Sequence, residues 1–277
     1  MPSLFDNFLT KFTKSFEGTN PIIHSVMANI FSMRIIGNKT HGDLAEIALT
    51  EYINEFVGGY TAKHTGKETF RAKVNEEDIR VINETTGEEL PISIKTYGVG
   101  PLQLSTNKDS SMFRCLTEVV GKKRLTDSKK TVEILSGPCF VDFDEVNVLP
   151  LIYNEKEKTF KIIIFNLLRA YKSVGKIRFF PPRKYGKNKK THPIYKFFDK
   201  NNQYIFEVRY GDTKANALQR GMWTHTENAK PFFNEILSGS YEINKPLLKL
   251  ISKILVSPKE KHKEILKLFR EVNSTTA

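Results

Sequence analysis

Residues Gly42 to Phe56 place Ala45, Ala48, Leu49, Tyr52 and Phe56 on one helix face, and further along Leu90, Ile92 and Ile94 alternate with Ser93 and Lys95 at strand spacing. A chain whose hydrophobic period changes from helical to two-residue has to bury a helix stripe and a sheet face together, which is a mixed α/β core. Gly58-Gly59 closes the helical pattern. Asp78 to Ile82 (DIRVI) and Leu90 to Thr96 (LPISIKT) flank a polar, glycine-containing stretch, Asn83 to Glu88, and read as a hairpin. Leu90, Ile92 and Ile94 then share one sheet face; Ser93 and Lys95 share the other.

The remaining pattern is consistent with that class. A helix is expected at Ile22–Ile36 and strands at Lys130–Leu135, Phe140–Phe143, Phe160–Phe165 and Gln203–Tyr210. Asp212-Thr213 precedes a helical pattern over Lys214–Met222. Pro246–Leu255 is helical, and Ser257-Pro258-Lys259-Glu260 has the form of a capping box that starts a second C-terminal helix. The expected fold is α/β, a mixed central β-sheet flanked by helices. No clear linker interrupts the chain, so residues 1–277 are read as one domain, most irregular over Pro181–Pro193. Within it, about 40–145 would form a catalytic core, about 158–225 the nucleic-acid-contacting part, and 245–273 the C-terminal helices.

The charge is unevenly placed. The formal charge is +12, and the segment between Glu157 and Asp199 contains 12 lysines and arginines and no acid. The excess is therefore local. Phe179, Phe180, Tyr185 and Tyr195 are interleaved with it. Such a tract can neutralise phosphates and release counterions, giving salt-sensitive nucleic-acid binding. Arg183, Lys184, Lys187, Lys189 and Lys190 are its densest part. No amphipathic basic helix with a clean apolar face accompanies it, which disfavours a membrane surface, and no apolar run is long enough to span a bilayer. Met1 to Phe16 contains Asp6 and no apolar block of signal-peptide length. The two cysteines, Cys115 and Cys139, form no CxxC and no disulfide framework, so a reducing, cytoplasmic setting is expected.

Several chemistries are excluded by motif. There is no HExxH, no GxxxxGK[ST], no GxGxxG and no GxSxG, and the six histidines are scattered without zinc-ligand spacing to a cysteine. Phe180-Pro181-Pro182-Arg183 lacks the polar first and aromatic fourth residues of an amino-methyltransferase motif. What remains is a carboxylate–lysine constellation. Phosphodiester hydrolysis uses a divalent metal, carboxylates to hold it and a cation near the attacking water. Asp78 opens one hairpin strand, Lys95 stands on the other beside Ser93, and Glu46 borders the apolar stripe of the preceding helix.

Glu46 in GDLAEIALTEYI, Asp78 in EEDIRVI and Ser93-Ile94-Lys95 in LPISIKTYG together resemble the PD-(D/E)xK nuclease superfamily, above all type II restriction endonucleases. Ser93 stands where that family usually has a carboxylate. The resemblance, which covers mainly residues 42–105, implies a Mg2+-dependent hydrolase that cuts double-stranded DNA at a specific sequence. It implies Asp78 as metal ligand, the Ile94 carbonyl as a second ligand, Lys95 beside the water, and Glu46 as the acid that replaces the missing one. Glu118 is the second candidate for that acid, and Gln103 could approach the site. A homodimer and a companion DNA methyltransferase acting on the same site follow from the restriction reading.

The strand at 203–210 and the Asn-, Gln- and Arg-bearing stretch after it look like a recognition element in such enzymes, with Arg209, Asn216, Gln219 and Arg220 as base- or phosphate-contacting candidates. Glu207-x-Arg209 is a rival acid–cation pair on one strand face, weakened because arginine is a poor substitute for lysine beside a water. Trp223, the only tryptophan, reads as core. A non-catalytic nucleic-acid-binding protein explains the basic tract equally well and asks nothing of Asp78, Lys95 or Glu46.

Overall fold

Phe5, Phe8, Phe12 and Phe16 recur at helical spacing and form the buried face of the first half of helix α1 (Leu4–Met33). Ser3 caps it, its hydroxyl oxygen accepting the Asp6 N–H at 3.2 Å, with the Asp6 charge placed favourably in the first turn. The helix kinks at Thr19 (φ −116°, ψ 16°), two residues before Pro21, which has no N–H to give the preceding turn. Beyond the kink Ile23, Met27, Ile30 and Phe31 take over the buried face. The helix expected at Ile22–Ile36 is thus the second half of a longer one. Helix α2 (Thr40–Phe56) lies against α1: the Tyr52 ring is stacked on Phe16 at 5.0 Å and meets Phe12 edge-on at 6.2 Å.

The computed structural model describes residues 2–35, 40–65, 78–98, 101–105, 112–138, 140, 147–166, 171–182, 193–209, 221–225 and 233–256. Two six-stranded sheets carry the chain. The first has the order β1 (Tyr60–His64), β2 (Ile79–Asn83), β3 (Glu89–Tyr97), β6 (Asn147–Asn154), β7 (Thr159–Asn166), β12 (Phe233–Ser240). It is mixed, with β3 and β6 parallel and its other neighbours antiparallel. The second has the order β4 (Pro101–Ser105), β11 (Gly221–His225), β10 (Tyr204–Arg209), β9 (Ile194–Phe198), β8 (Lys176–Phe180), β5 (Arg124–Leu125), all antiparallel. The expected hairpin is β2–β3. Gly87 closes its turn with φ +71°, a value that favours glycine, and the Asn83 side chain accepts the N–H groups of Thr85 and Thr86.

One face of the first sheet, including Ile79, Val81, Ile92, Ile94, Leu149 and Leu151, packs on α1 and α2. On its other face Val148 and Phe165 join a second cluster with Ile177, Tyr195, Phe197, Phe206 and Val208 of the second sheet. Helices α3 (Met112–Val119) and α4 (Ser128–Leu135) complete that layer, and α5 (Lys245–Val256) packs beside α1. The fold is therefore α/β with a mixed central sheet flanked by helices, as the hydrophobic periods require.

Three local expectations differ from the structure. Lys130–Leu135 is helical, not a strand: the Asp127 carboxylate accepts the Lys129 and Lys130 N–H groups at 2.9 and 3.2 Å, and Thr131 and Leu135, four apart, are both buried. Met222 ends no helix; it belongs to β11, paired with Val208 and Leu104. Residues 210–220, which hold the rest of that expected helix, lie outside the described residues, as do 141–143 and the second C-terminal helix at 257–273. Phe140 is buried in the second cluster. Third, Cys115 on α3 is disulfide-bonded. A disulfide is uncommon in a reducing cytoplasm, so the cysteines do not support that setting. Among the described residues no helix is long and apolar enough to cross a membrane.

Phe12 is fully buried against Phe8, Phe16 and Tyr52. Phe12→Ala is expected to lower unfolding free energy by about 3–5 kcal/mol, read from a urea denaturation curve.

Candidate active site

The β1–β2 and β2–β3 registers set the site. His64 at the end of β1 pairs with Ile79, and Ile79 pairs with Ile92, so Asp78, the residue before β2, stands at the end of that ladder next to Ile92. The Asp78 backbone is held on both sides: its N–H donates to the Ile92 carbonyl at 3.0 Å, and its carbonyl accepts the Thr65 N–H at 3.1 Å. Its side chain is 3 % exposed. A carboxylate so buried needs donors. Ser93 Oγ donates to Asp78 Oδ2 at 3.1 Å, the Ile94 N–H donates to the same oxygen at 2.8 Å, and Lys95 Nζ stands 3.6 Å from it.

That arrangement orders Ser93, Ile94 and Lys95 by function. Ser93 is fully buried against Asp78, where its hydroxyl orients the carboxylate. Lys95 is partly exposed, on the stretch of β3 that lies past its ladder with β2. Backbone groups along a strand point alternately to either side. Ile92, whose carbonyl meets the Asp78 N–H, and Ile94, whose N–H meets the Asp78 carboxylate, both point toward β2. The Ile94 carbonyl therefore faces the same side as the Asp78 carboxylate, just past the last described residue of that ladder.

Glu46 arrives from α2, beside buried Ala45 and Leu49. Its Oε2 lies 2.8 Å from His64 Nε2, with both side chains about one-sixth exposed, at 20 % and 15 %. His64 immediately precedes Thr65, the residue bonded to the Asp78 carbonyl. Register sets His64 beside Ile79, the residue after Asp78, but His64 and Glu46 lie on the helix side of the sheet, whereas Ser93, which holds Asp78, faces the other side. His64 carried no motif signal; only its strand period with Tyr60 and Ala62, which are buried toward the helices, would have placed it on the α2 side. Among the described residues no group of three His, Cys, Asp or Glu side chains is gathered to hold a metal. Mg2+ asks for less, since it keeps waters and takes one or two carboxylates with substrate phosphate oxygens. Asp78 and the Ile94 carbonyl are oxygen donors of that kind, while Glu46 is engaged by His64 on the helix side of the sheet.

The other candidates separate. Glu118 is an exposed acid on α3, 3.1 Å from Arg114, and its carboxylate is used in that pair. Gln103 belongs to β4 of the second sheet. Arg209 Nε donates to Glu207 Oε1, and Lys196 Nζ lies 3.6 Å from Glu207 Oε2, so the rival pair forms a neutralised cluster in the middle of the second sheet. Arg183, Lys184, Lys187, Lys189, Lys190, Asn216, Gln219 and Arg220 lie outside the described residues, and of Trp223 only its strand register is described. No protein-family model matches this chain, and no curated protein does.

Ser93→Ala removes one of the donors to a buried carboxylate. It is expected to lower stability by about 1–3 kcal/mol in denaturant unfolding. Lys63→Ala, at an exposed position on β1, should stay within about 0.5 kcal/mol.

Proposed function

We propose that the protein is a sequence-specific, Mg2+-dependent endonuclease of double-stranded DNA, a hydrolase of the restriction type. One observation carries the reading: an acid just before β2 and a lysine on β3 converge to 3.6 Å, with the acid held by Ser93 and the Ile94 N–H. The order helix acid, strand acid, strand lysine is the one that led from sequence to the PD-(D/E)xK superfamily.

Asp78, with the Ile94 carbonyl, would hold the ion. Mg2+ bound there supplies Lewis-acid charge to the scissile phosphate and lowers the pKa of a bound water. Lys95 Nζ orients the attacking water and offsets the charge that grows on the phosphoryl oxygens as the new bond to phosphorus forms and the bond to the leaving sugar oxygen breaks. Ser93 and the Ile94 N–H keep the Asp78 carboxylate aimed, so that little reorganisation is needed when the phosphate arrives. His64 engages Glu46 on the helix side of the sheet. The basic tract at 158–198 contributes affinity through phosphates and little sequence information. Arg209, Asn216, Gln219 and Arg220 are the proposed contacts on the recognition side. A homodimer matches a palindromic site by symmetry. A cytoplasmic location follows from the DNA substrate, with the Cys115 disulfide standing against it, and a companion methyltransferase from the need to protect the host's own DNA.

The test is digestion of unmethylated phage DNA with Mg2+ and with EDTA. Discrete fragments that require Mg2+ are expected, and Asp78→Ala or Lys95→Ala should abolish cutting while duplex binding in EDTA persists. Cutting retained by either variant would sink the site assignment. Salt-sensitive binding with no cleavage on any unmethylated DNA would leave the non-catalytic nucleic-acid-binding protein as the better reading.

A further inference from the structure

The second sheet has one apolar face and one charged face. Ile177, Phe179, Tyr195, Phe197, Phe206 and Val208 point into the shared cluster. The residues between them, by the alternation of a strand, point outward. The register sets three cations of that outer face in one cross-strand row: Arg124 on β5 is opposite Arg178 on β8, and Arg178 is opposite Lys196 on β9. Arg124 is exposed, and so are Lys122 and Lys123 just before it. These three lie outside the basic tract of the sequence; the fold brings them to its edge.

Like charges directly across strands repel. The row is offset only in part by acids. Glu207, the next residue along it, is occupied by Lys196 and Arg209. Asp199 is the other nearby acid. Burial, and then the Arg124 and Arg178 charges, hold the Lys176 ammonium below its usual pKa, with Asp199 opposing. An excess of positive charge kept in register across three strands calls for an anion with repeated charges. Two steps between strands span about 10 Å, commensurate with about three phosphates along one strand of a duplex.

The aromatic residues on this face decide between polyanions. Lys196 lies over the Phe180 and Tyr204 rings at 5.3 and 5.2 Å, and Arg178 lies over Phe198 at 5.5 Å. Rings already covered by cations are not platforms for unpaired bases, nor apolar wedges for a bilayer. We infer that the outer face of the second sheet, from the β5 edge at Lys122, Lys123 and Arg124 across Arg178 and Lys196, binds the phosphate backbone of a DNA duplex. This rests on DNA as the partner of the protein proposed above, and not on its cleavage chemistry.

The experiment measures binding of the full chain to a short DNA duplex by fluorescence anisotropy in EDTA, between about 50 and 200 mM salt. Two triple variants are compared: Lys122→Gln/Lys123→Gln/Arg124→Gln, and a control that removes equal charge elsewhere, Lys14→Gln/Lys156→Gln/Lys245→Gln, all exposed. The first is expected to bind about tenfold or more weakly, with a salt slope lower by about two to three, while the control keeps the parent slope. Thermal melts of both variants should match the parent, which separates lost contact from lost fold. An unchanged affinity in the first variant, an equal loss in both, tighter binding to single strands than to duplex, or binding to anionic vesicles alone would each overturn the inference. Parallel digestions in Mg2+ keep the two readings apart. Fragments with no effect of the edge variant on binding overturn this surface and leave the nuclease standing; edge-dependent binding without fragments does the reverse.

Discussion

Strand β3 is paired along both edges and packed on both faces, and the rest of the molecule is arranged around that confinement. Leu90, Ile92 and Ile94 face the two long helices, while Ser93 and Tyr97 face the layer shared with the second sheet. A slip of one residue in its register would turn Ser93 and Lys95 into the apolar helix layer and the isoleucines out of it. The register is therefore strongly set. Once it is set, Asp78 has no choice of neighbour. It stands beside Ser93 and Ile94, whose hydroxyl and N–H both donate to its carboxylate.

Among the described residues two carboxylates are buried in the sheets, Asp78 and Glu207, and they are held differently. Glu207 is as buried as Asp78, at 4 % exposure against 2 %, and each has cations beside it. Glu207 sits inside β10, a strand paired on both sides by β9 and β11, and two cations, Lys196 and Arg209, compensate its charge. Asp78 sits at the start of its strand, where Ser93 and Ile94 donate to its carboxylate and the Lys95 ammonium stands 3.6 Å away. Hydrogen bonds from neutral groups orient a carboxylate without cancelling its charge, whereas a close guanidinium cancels it. The same pair of residue types thus makes a structural cluster in one sheet and an oriented acid at a strand start in the other.

This difference marks how far the sequence could be read. The hairpin was legible because Leu90, Ile92 and Ile94 keep strict alternation and Asn83 to Gly87 has turn chemistry; α2 was legible from its stripe. Asp78, Ser93 and Lys95 could be brought together on paper because a hairpin register converts spacing into proximity. Lys130–Leu135 was misread because Thr131 and Val132 favour a strand, while the Asp127 cap decides for a helix. The second sheet was hardly legible. Its strands are short and come from two separated stretches, so no local period announces that β4 and β5 complete a sheet built by β8 to β11. His64 was missed for a similar reason, since its significance lies only in Glu46, a residue of the preceding helix.

The connectivity explains why the two sheets behave as one body of structure. β4 and β5 are drawn from the chain between β3 and β6, and β8 to β11 from the chain between β7 and β12. The second sheet is therefore assembled from excursions of the first, and each excursion leaves and returns through strands of the central sheet. Val148 and Phe165 then seal the arrangement by packing on both. Opening that shared cluster exposes apolar surface from both sheets at once, so neither can loosen alone without cost. The residue pair at the end of β2 and β3 consequently rests on a scaffold whose far layer helps to hold β3 in place. Rigid strands supported from both faces are what a carboxylate and an ammonium need if their separation is to be set by the fold and not by their own attraction.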